Sequence, residues 1–224
     1  DITMDFKQIR LFLFDMDGTL VDSLMLWDIL TAAMEKAYPD KIGTVISEED
    51  NKAIRVVPLR DGMQLLHDHY GIAASGEELF QLATDTFADF YANRVQLKPG
   101  VREFLDHLQS RGVRMCIASA TNPDLIESAL DHCGIRHYFD TVFSCGVLGK
   151  GKDTPDIYLM ARDYLGADTE HTWVFEDAFV AIETATGIGM QTVGIYDKYN
   201  PYQDKIKAMS THYIESGETL MKLV

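Results

Sequence analysis

Positive charge is the first shortage. Twenty Lys and Arg stand against 35 Asp and Glu, for a formal net charge of −15 at pH 7. Binding a phosphate backbone needs a basic face, so nucleic acid is excluded as a partner. Long apolar runs are also missing. None approaches the roughly 18 residues of a membrane span, so no membrane role is expected. Residues Asp1 to Arg10 show no apolar stretch behind a basic start, so no secretory leader is expected there. Cysteine is sparse: Cys116, Cys133 and Cys145 are an odd set without close ligand spacing. They read as small buried thiols in a cytoplasm-like, reducing compartment. The histidines lack metal-ligand spacing too, and His67 and His69 are expected to be exposed or paired. No repeat or low-complexity stretch occurs, and 224 residues suffice for a core domain with an insert.

What is there begins with Ile9 to Phe14, IRLFLF, a nearly continuous apolar run of the kind that forms a strand buried on both faces. It stops at Asp15-Met16-Asp17-Gly18-Thr19. From Asp22 to about Arg94 the spacing is helical. Leu24, Trp27, Leu30 and Met34 share one face, and Ser47 and Ser75 open capping boxes. Asp22 is expected to cap the first of these helices. Beyond Lys98-Pro99-Gly100, strands and helices alternate: strands Val113–Ala118, Thr141–Ser144, Thr172–Phe175, Gln191–Ile195 and His212–Ile214, with helices between them and a last helix from Ser216. Asn122-Pro123 and Thr154-Pro155 mark helix starts. This alternation predicts an α/β fold, a Rossmann-like parallel sheet covered by helices. The expected core domain spans 1–21 and 95–224, and a small all-helical cap domain, 22–94, is inserted after the first strand.

Ligands of such sheets bind beyond the carboxyl ends of the strands. Asp15 and Asp17 follow one strand, Ser119 another, and Glu176 and Asp177 a third, so one site could gather them. Asp15, Asp17 and Asp177 crowded there would repel one another unless a divalent cation intervened. Mg²⁺ suits oxygen ligands and is commonly held by one or two carboxylates plus substrate phosphate. It would also let so acidic a chain bind an anion. A carboxylate can attack phosphorus while a second one moves the leaving-group proton. Asp15 is therefore read as nucleophile and Asp17 as general acid/base. The phosphate would be held by Ser119, by backbone N–H groups near Ala120 and Gly18, and by a lysine. Lys152 is preferred to Lys150, being closer to the helix that Thr154 opens. Arg55 and Trp27 in the helical segment are candidate substrate contacts; surface charge and core packing are their plainer roles.

These residues resemble the haloacid dehalogenase-like superfamily. Asp15-Met-Asp-Gly-Thr-Leu-Val-Asp-Ser23 is similar to its first motif, Ser119 in CIASATN to its second, Lys152 in GKDTPDIY to its third, and Glu176-Asp177 in WVFEDAFVAIETA to its fourth. The resemblance covers nearly the whole chain and is nearest the phosphatase and beta-phosphoglucomutase-like branch. It implies Mg²⁺ bound by the side chains of Asp15 and Asp177 and the backbone carbonyl of Asp17, with Glu176 tuning the metal site. Asp153 stands where the third motif usually has proline, and Ala181 where a glycine usually follows the acidic pair. Asp17 counts against a dehalogenase. Trp27, in place of the histidine of related mutases, counts against a mutase. The expected activity is Mg²⁺-dependent hydrolysis of a small phosphorylated metabolite through an aspartyl-phosphate, in the cytoplasm, by a protein that could be a monomer. The alternatives are a sugar-phosphate mutase, or a regulatory module that responds to phosphate without turnover.

Overall fold

In the computed structural model, which describes residues 4–41 and 45–224, the first apolar run becomes the strand β1 (Leu11–Phe14), every residue of it buried. A short β2 (Val21–Asp22) follows, then four helices: α1 (Leu26–Ala37), α2 (Glu48–Val56), α3 (Leu59–Tyr70) and α4 (Gly76–Asp89). The chain returns through β3 (Gln96–Leu97) and α5 (Val101–Ser110) to β4 (Arg114–Ser119), α6 (Pro123–Cys133) and β5 (Thr141–Ser144). Then come a single turn α7 (Cys145–Leu148), α8 (Asp156–Tyr164), β6 (Thr172–Glu176), α9 (Phe179–Gly187), β7 (Gln191–Ile195), α10 (Gln203–Met209) and β8 (His212–Ile214). The expected last helix from Ser216 is only a 3-10 turn, Leu220–Leu223.

Six strands make one parallel sheet in the order β5-β4-β1-β6-β7-β8, and β2 pairs with β3 in a separate antiparallel ribbon. Alternation along β1 divides its side chains between two layers. Leu11 and Leu13 join Cys116, Ala118 and Val174 against Ile157, Tyr158 and Ala161 of α8. Phe12 and Phe14 meet Phe175 and Phe104 of α5, with the Phe14 and Phe175 rings 4.5 Å apart. Apolar burial at about 25 cal/mol per Å² drives both layers, so neither face of β1 tolerates a polar residue before the strand ends. The first polar side chain after β1 is Asp15.

The chain divides into two compact units, Asp1–Leu24 with Val95–Val224, and Met25–Arg94. The outgoing boundary falls after Leu24 because Val21 and Asp22 are tied to Leu97 and Gln96 by strand pairing. Asp22 is thus a strand residue. The residue before α1 is Met25, which offers no side-chain cap, so the expected capping role of Asp22 is not met.

The helical unit has its own core of Leu30, Met34, Ile54, Met63, Leu66, Ile72, Leu79 and Ala83. Its helix starts follow the sequence signals. The Ser47 hydroxyl accepts the Asp50 N–H and the Ser75 hydroxyl accepts the Glu78 N–H. Gly71 ends α3 at φ +64°, where a left-handed cap favours glycine. His67 bonds the Ile72 carbonyl, and His69 pairs with Asp50. No helix of the described residues is long and apolar enough to cross a membrane.

Candidate active site

Parallel pairing sets Phe14 beside Ile117 on one side and Phe175 on the other, so the segments that follow β1, β4 and β6 emerge together at one sheet edge. Asp15 is the first residue past β1, and its N–H still bonds the Phe175 carbonyl at 3.0 Å. Ser119 and Glu176 end their strands, and Asp177 comes next. All four side chains are buried.

One oxygen from each of Asp15, Glu176 and Asp177 lies within 4.8 Å of the others, a spacing that could hold a metal ion. Among the expected carboxylates, Asp17 is the one whose side chain stands outside this trio. Its two oxygens accept the hydroxyls of Ser23 and Thr121, each at 2.6 Å. Glu176, which the sequence put at the margin, sits at the centre. It takes the N–H groups of Asp177 and Ala178 on Oε1 and the Lys152 ammonium on Oε2. A side chain that begins inside a buried strand end and has two main-chain donors beside it is drawn inward. Asp17, two residues further along the loop, meets hydroxyls instead.

Lys152 donates to Asp15 Oδ1 and to Glu176 Oε2, both at 2.8 Å. Burial alone would pull its ammonium down. Asp15 and Glu176 outweigh that, and the group is held well above the usual lysine range. Lys150 instead forms an exposed pair with Asp156, so Lys152 is the lysine brought into the cluster. One ammonium does not satisfy three carboxylates. Burial, then the charge of Asp15, push Glu176 up to about 7. Burial, Asp15 and Glu176 push Asp177 well above the usual carboxylate range.

Neighbouring residues fix the trio. The Thr19 hydroxyl donates to Asp177 Oδ1 at 2.8 Å and lies 3.5 Å from Asp15 Oδ2. Asn200 donates from its amide to the Asp177 carbonyl at 2.9 Å and to Asp177 Oδ2 at 2.5 Å. Gly18 turns at φ +81°, and a Cβ there would overlap the Asp177 carboxylate and Leu24. Only glycine gives the loop both that turn and that approach. The Ser119 hydroxyl accepts the Thr121 N–H at 3.0 Å, which turns the chain after Ala120 toward α6. Asn122 precedes α6 but makes no side-chain cap bond. Thr19, Thr121 and Asn200 escaped the sequence reading. Thr19 lies inside the first motif and could have been found there.

Arg55 and Trp27 belong to the helical unit, where the Arg55 guanidinium lies 5.6 Å from the Trp27 ring centroid. Trp27 packs edge-on against Phe87. Arg60 covers Phe80 and pairs with Glu77.

The sequence profile of the haloacid dehalogenase-like hydrolases matches residues 9–189. The chain belongs to that family. This hydrolase is 25% identical over 209 residues to a phosphorylated carbohydrates phosphatase of Thermotoga maritima, covering 93% of this chain and 95% of that protein. It is 26% identical to a fructose-1-phosphate phosphatase of Escherichia coli, covering 82% and 94%. Its fold superimposes on a beta-phosphoglucomutase of Clostridium difficile with a TM-score of 0.65, at 19% identity and 92% and 91% coverage.

Proposed function

We propose that this hydrolase cleaves the phosphate ester of a small metabolite, depends on Mg²⁺, and passes the phosphoryl group through an aspartyl-phosphate on Asp15. The observation that carries this reading is the placement of Asp15. A buried carboxylate stands at the end of the central strand, 2.8 Å from a lysine and within metal-sharing distance of two further carboxylates. A purely structural role would not crowd three carboxylates together where one ammonium pairs with only two of them. The phosphatases named above support the reaction class.

The donor set fits Mg²⁺: it is all oxygen, it is compact, and its excess negative charge is already visible in the raised Glu176 and Asp177. Asp15 and Asp177 would hold the ion with the Asp17 carbonyl. Glu176 would act from its bond to Lys152. When bound, the ion supplies positive charge that offsets carboxylate and phosphate and polarises the phosphoryl group.

The chain's own groups then divide the work. An Asp15 oxygen forms a bond to phosphorus as the bond from phosphorus to the leaving oxygen breaks. Asp17 gives its proton to that oxygen. Ser23 and Thr121 hold the Asp17 carboxyl in register for this transfer. Water next attacks the phosphorus of the aspartyl-phosphate and gives its proton to Asp17. Phosphate leaves, and Asp15 is again a carboxylate. Lys152, the Ser119 hydroxyl and the main-chain N–H groups that follow it near Ala120 serve the phosphoryl oxygens as their charge spreads, whereas the Gly18 N–H, expected to join them, is taken by the Val21 carbonyl at 3.0 Å. Arg55 and Trp27 would bear on substrate choice rather than on the bond broken. The buried, unpaired thiols of Cys116, Cys133 and Cys145 suit a reducing, cytoplasmic setting. Burial pushes the Cys116 thiol up to about 11, which leaves it inert as a rival nucleophile.

The test is a panel of phosphorylated metabolites assayed for released phosphate with Mg²⁺, with EDTA, and with Asp15→Asn. Release that needs both the ion and Asp15 is expected. Turnover that persists in Asp15→Asn, once deamidation is ruled out by mass, would overturn the nucleophile. An isomerised sugar phosphate in place of free phosphate would move the reading to a mutase.

A further inference from the structure

The Asp177 carboxylate is gripped from a stretch of chain that no motif marks. Its Oδ1 accepts the Thr19 hydroxyl, and its Oδ2 accepts the Asn200 amide, which also holds the Asp177 carbonyl. Asn200 lies in the connection between β7 and α10, residues 196–202. That connection is fastened at several points. Buried Asp197 accepts the Lys98 ammonium at 2.9 Å and the Tyr199 N–H at 3.0 Å. The Asp197 carbonyl accepts the Asn200 N–H and the Gln203 amide, both at 3.0 Å. Gln203 also donates to the Asn200 carbonyl at 3.1 Å and accepts the Tyr213 hydroxyl. Tyr202 closes the strap at φ +66°, a left-handed conformation that a bulky residue adopts only when its surroundings enforce it.

We propose that Asn200 is a positioning residue, whose amide fixes the rotation of the Asp177 carboxylate for a divalent cation and is presented by this strap. The inference rests on the magnesium reading above. Chemistry explains why an amide stands here. A lysine or arginine would donate to Asp177 as well, but its charge would oppose the cation. An aspartate would set acceptor against acceptor. An amide donates to the ionised carboxylate without adding charge. Second partners of this kind hold a metal-binding carboxylate in one orientation, and removing one typically weakens metal binding by about 10- to 100-fold.

The experiment is calorimetric titration of Mg²⁺ into the unaltered protein, Asn200→Ala and Tyr213→Phe, with melting temperatures of all three measured in EDTA. Tyr213→Phe loosens the strap through Gln203 but leaves the Asn200 amide in place. We expect Asn200→Ala to bind Mg²⁺ at least about tenfold more weakly, and Tyr213→Phe to stay within about twofold, although both melt slightly earlier. If the alanine variant does not fold, Asn200→Ser withdraws the same amide and carries the same expectation. Affinity within about twofold of unaltered protein on loss of the amide overturns this inference alone. So does an equal loss in Tyr213→Phe, which would mark general loosening. Failure of the unaltered protein to bind Mg²⁺ overturns the magnesium reading and this inference with it.

Discussion

The two units bury different chemistry. Among the described residues, every buried carboxylate and every buried Ser or Thr belongs to the sheet unit: Asp15, Glu176, Asp177 and Asp197 with Thr19, Ser23, Ser119, Ser144, Thr172 and Thr192. The helical unit buries Leu, Met, Ile and Ala around α3 and α4 and keeps its charges at the surface. Its core stability comes from apolar transfer, with caps and ion pairs only at its surface. The sheet unit instead holds three crowded carboxylates against one lysine, an arrangement that costs stability until something cationic joins it. Local conflict of this kind, in a chain otherwise consistent from propensity to packing, is what a functional site looks like in energetic terms.

The largest break in that contrast should come from Asp15→Asn. If Asp15 is the nucleophile proposed above, its loss should cut turnover by about 10⁴-fold or more. The same change removes the charge that, after burial, pushes Glu176 and Asp177 upward and leaves Lys152 paired with Glu176. In EDTA the variant should therefore be as stable as the unaltered protein or about 1 kcal/mol more so, measured by urea denaturation. A dead enzyme that is also clearly less stable would mean that the cluster is held for folding. Lys152→Met works the other way. It strips the carboxylates of their buried counter-charge and should cost about 3–5 kcal/mol as well as activity. A loss under about 1 kcal/mol would show that the carboxylates already rest protonated without it.

The helical unit supplies the control. Leu66 is fully buried, and Leu66→Ala should cost about 3 kcal/mol through lost transfer energy and a cavity. That cost should not change with pH, because no buried ionisable carboxylate surrounds it. Stability of the chelated sheet unit should change. Glu176 is raised from 4.5 to about 7 in the folded protein, so between those values the unfolded chain has released a proton that the folded chain retains. The contribution is fully present below about pH 4.5 and is lost as pH rises toward 7, by an amount on the order of 3 kcal/mol. Denaturation in EDTA across this range measures it. Adding Mg²⁺ should flatten or reverse the slope, since a cation favours the ionised carboxylates. A chelated protein whose stability rises from pH 5 to 7 would refute the crowded-carboxylate account.

How much was legible in the sequence depended on whether a residue interrupts a pattern. Asp15, Ser119, Glu176 and Asp177 end buried apolar runs, where polarity is conspicuous, and the parallel order β4-β1-β6 brings them to one edge. Asn200 interrupts nothing. It sits in an irregular connection 23 residues beyond Asp177, and its meeting with that carboxylate is set by a strap whose ties are tertiary. Thr121 is similar, because only folding shows that its hydroxyl reaches Asp17, 104 positions away. The exchange of Asp17 for Glu176 within the carboxylate trio has the same cause. Spacing places a side chain near a site, but the neighbouring donors decide which way it turns. The misplaced cap at Asp22 came from helical spacing that hid a two-residue strand paired to Gln96.

The smallest effect probes the floor of the sheet unit. Tyr158 is enclosed beneath the cluster, packed with Leu11, Leu13 and Ala161, and its hydroxyl meets no hydrogen-bond partner among the described residues. Burial pushes the phenol well above its ordinary range, so it stays neutral. An unsatisfied hydroxyl in such a place costs about 1–3 kcal/mol, and removing it without changing the ring should recover part of that. Tyr158→Phe is therefore expected to raise stability by about 1 kcal/mol in urea denaturation and to leave turnover unchanged. The opposite sign would be the more instructive result. Since Lys152, Glu176 and Asp15 all act electrostatically on this phenol, a destabilised, slower Tyr158→Phe would mean that the hydroxyl serves their charges. The polar region of the sheet unit would then extend one layer deeper than its carboxylates.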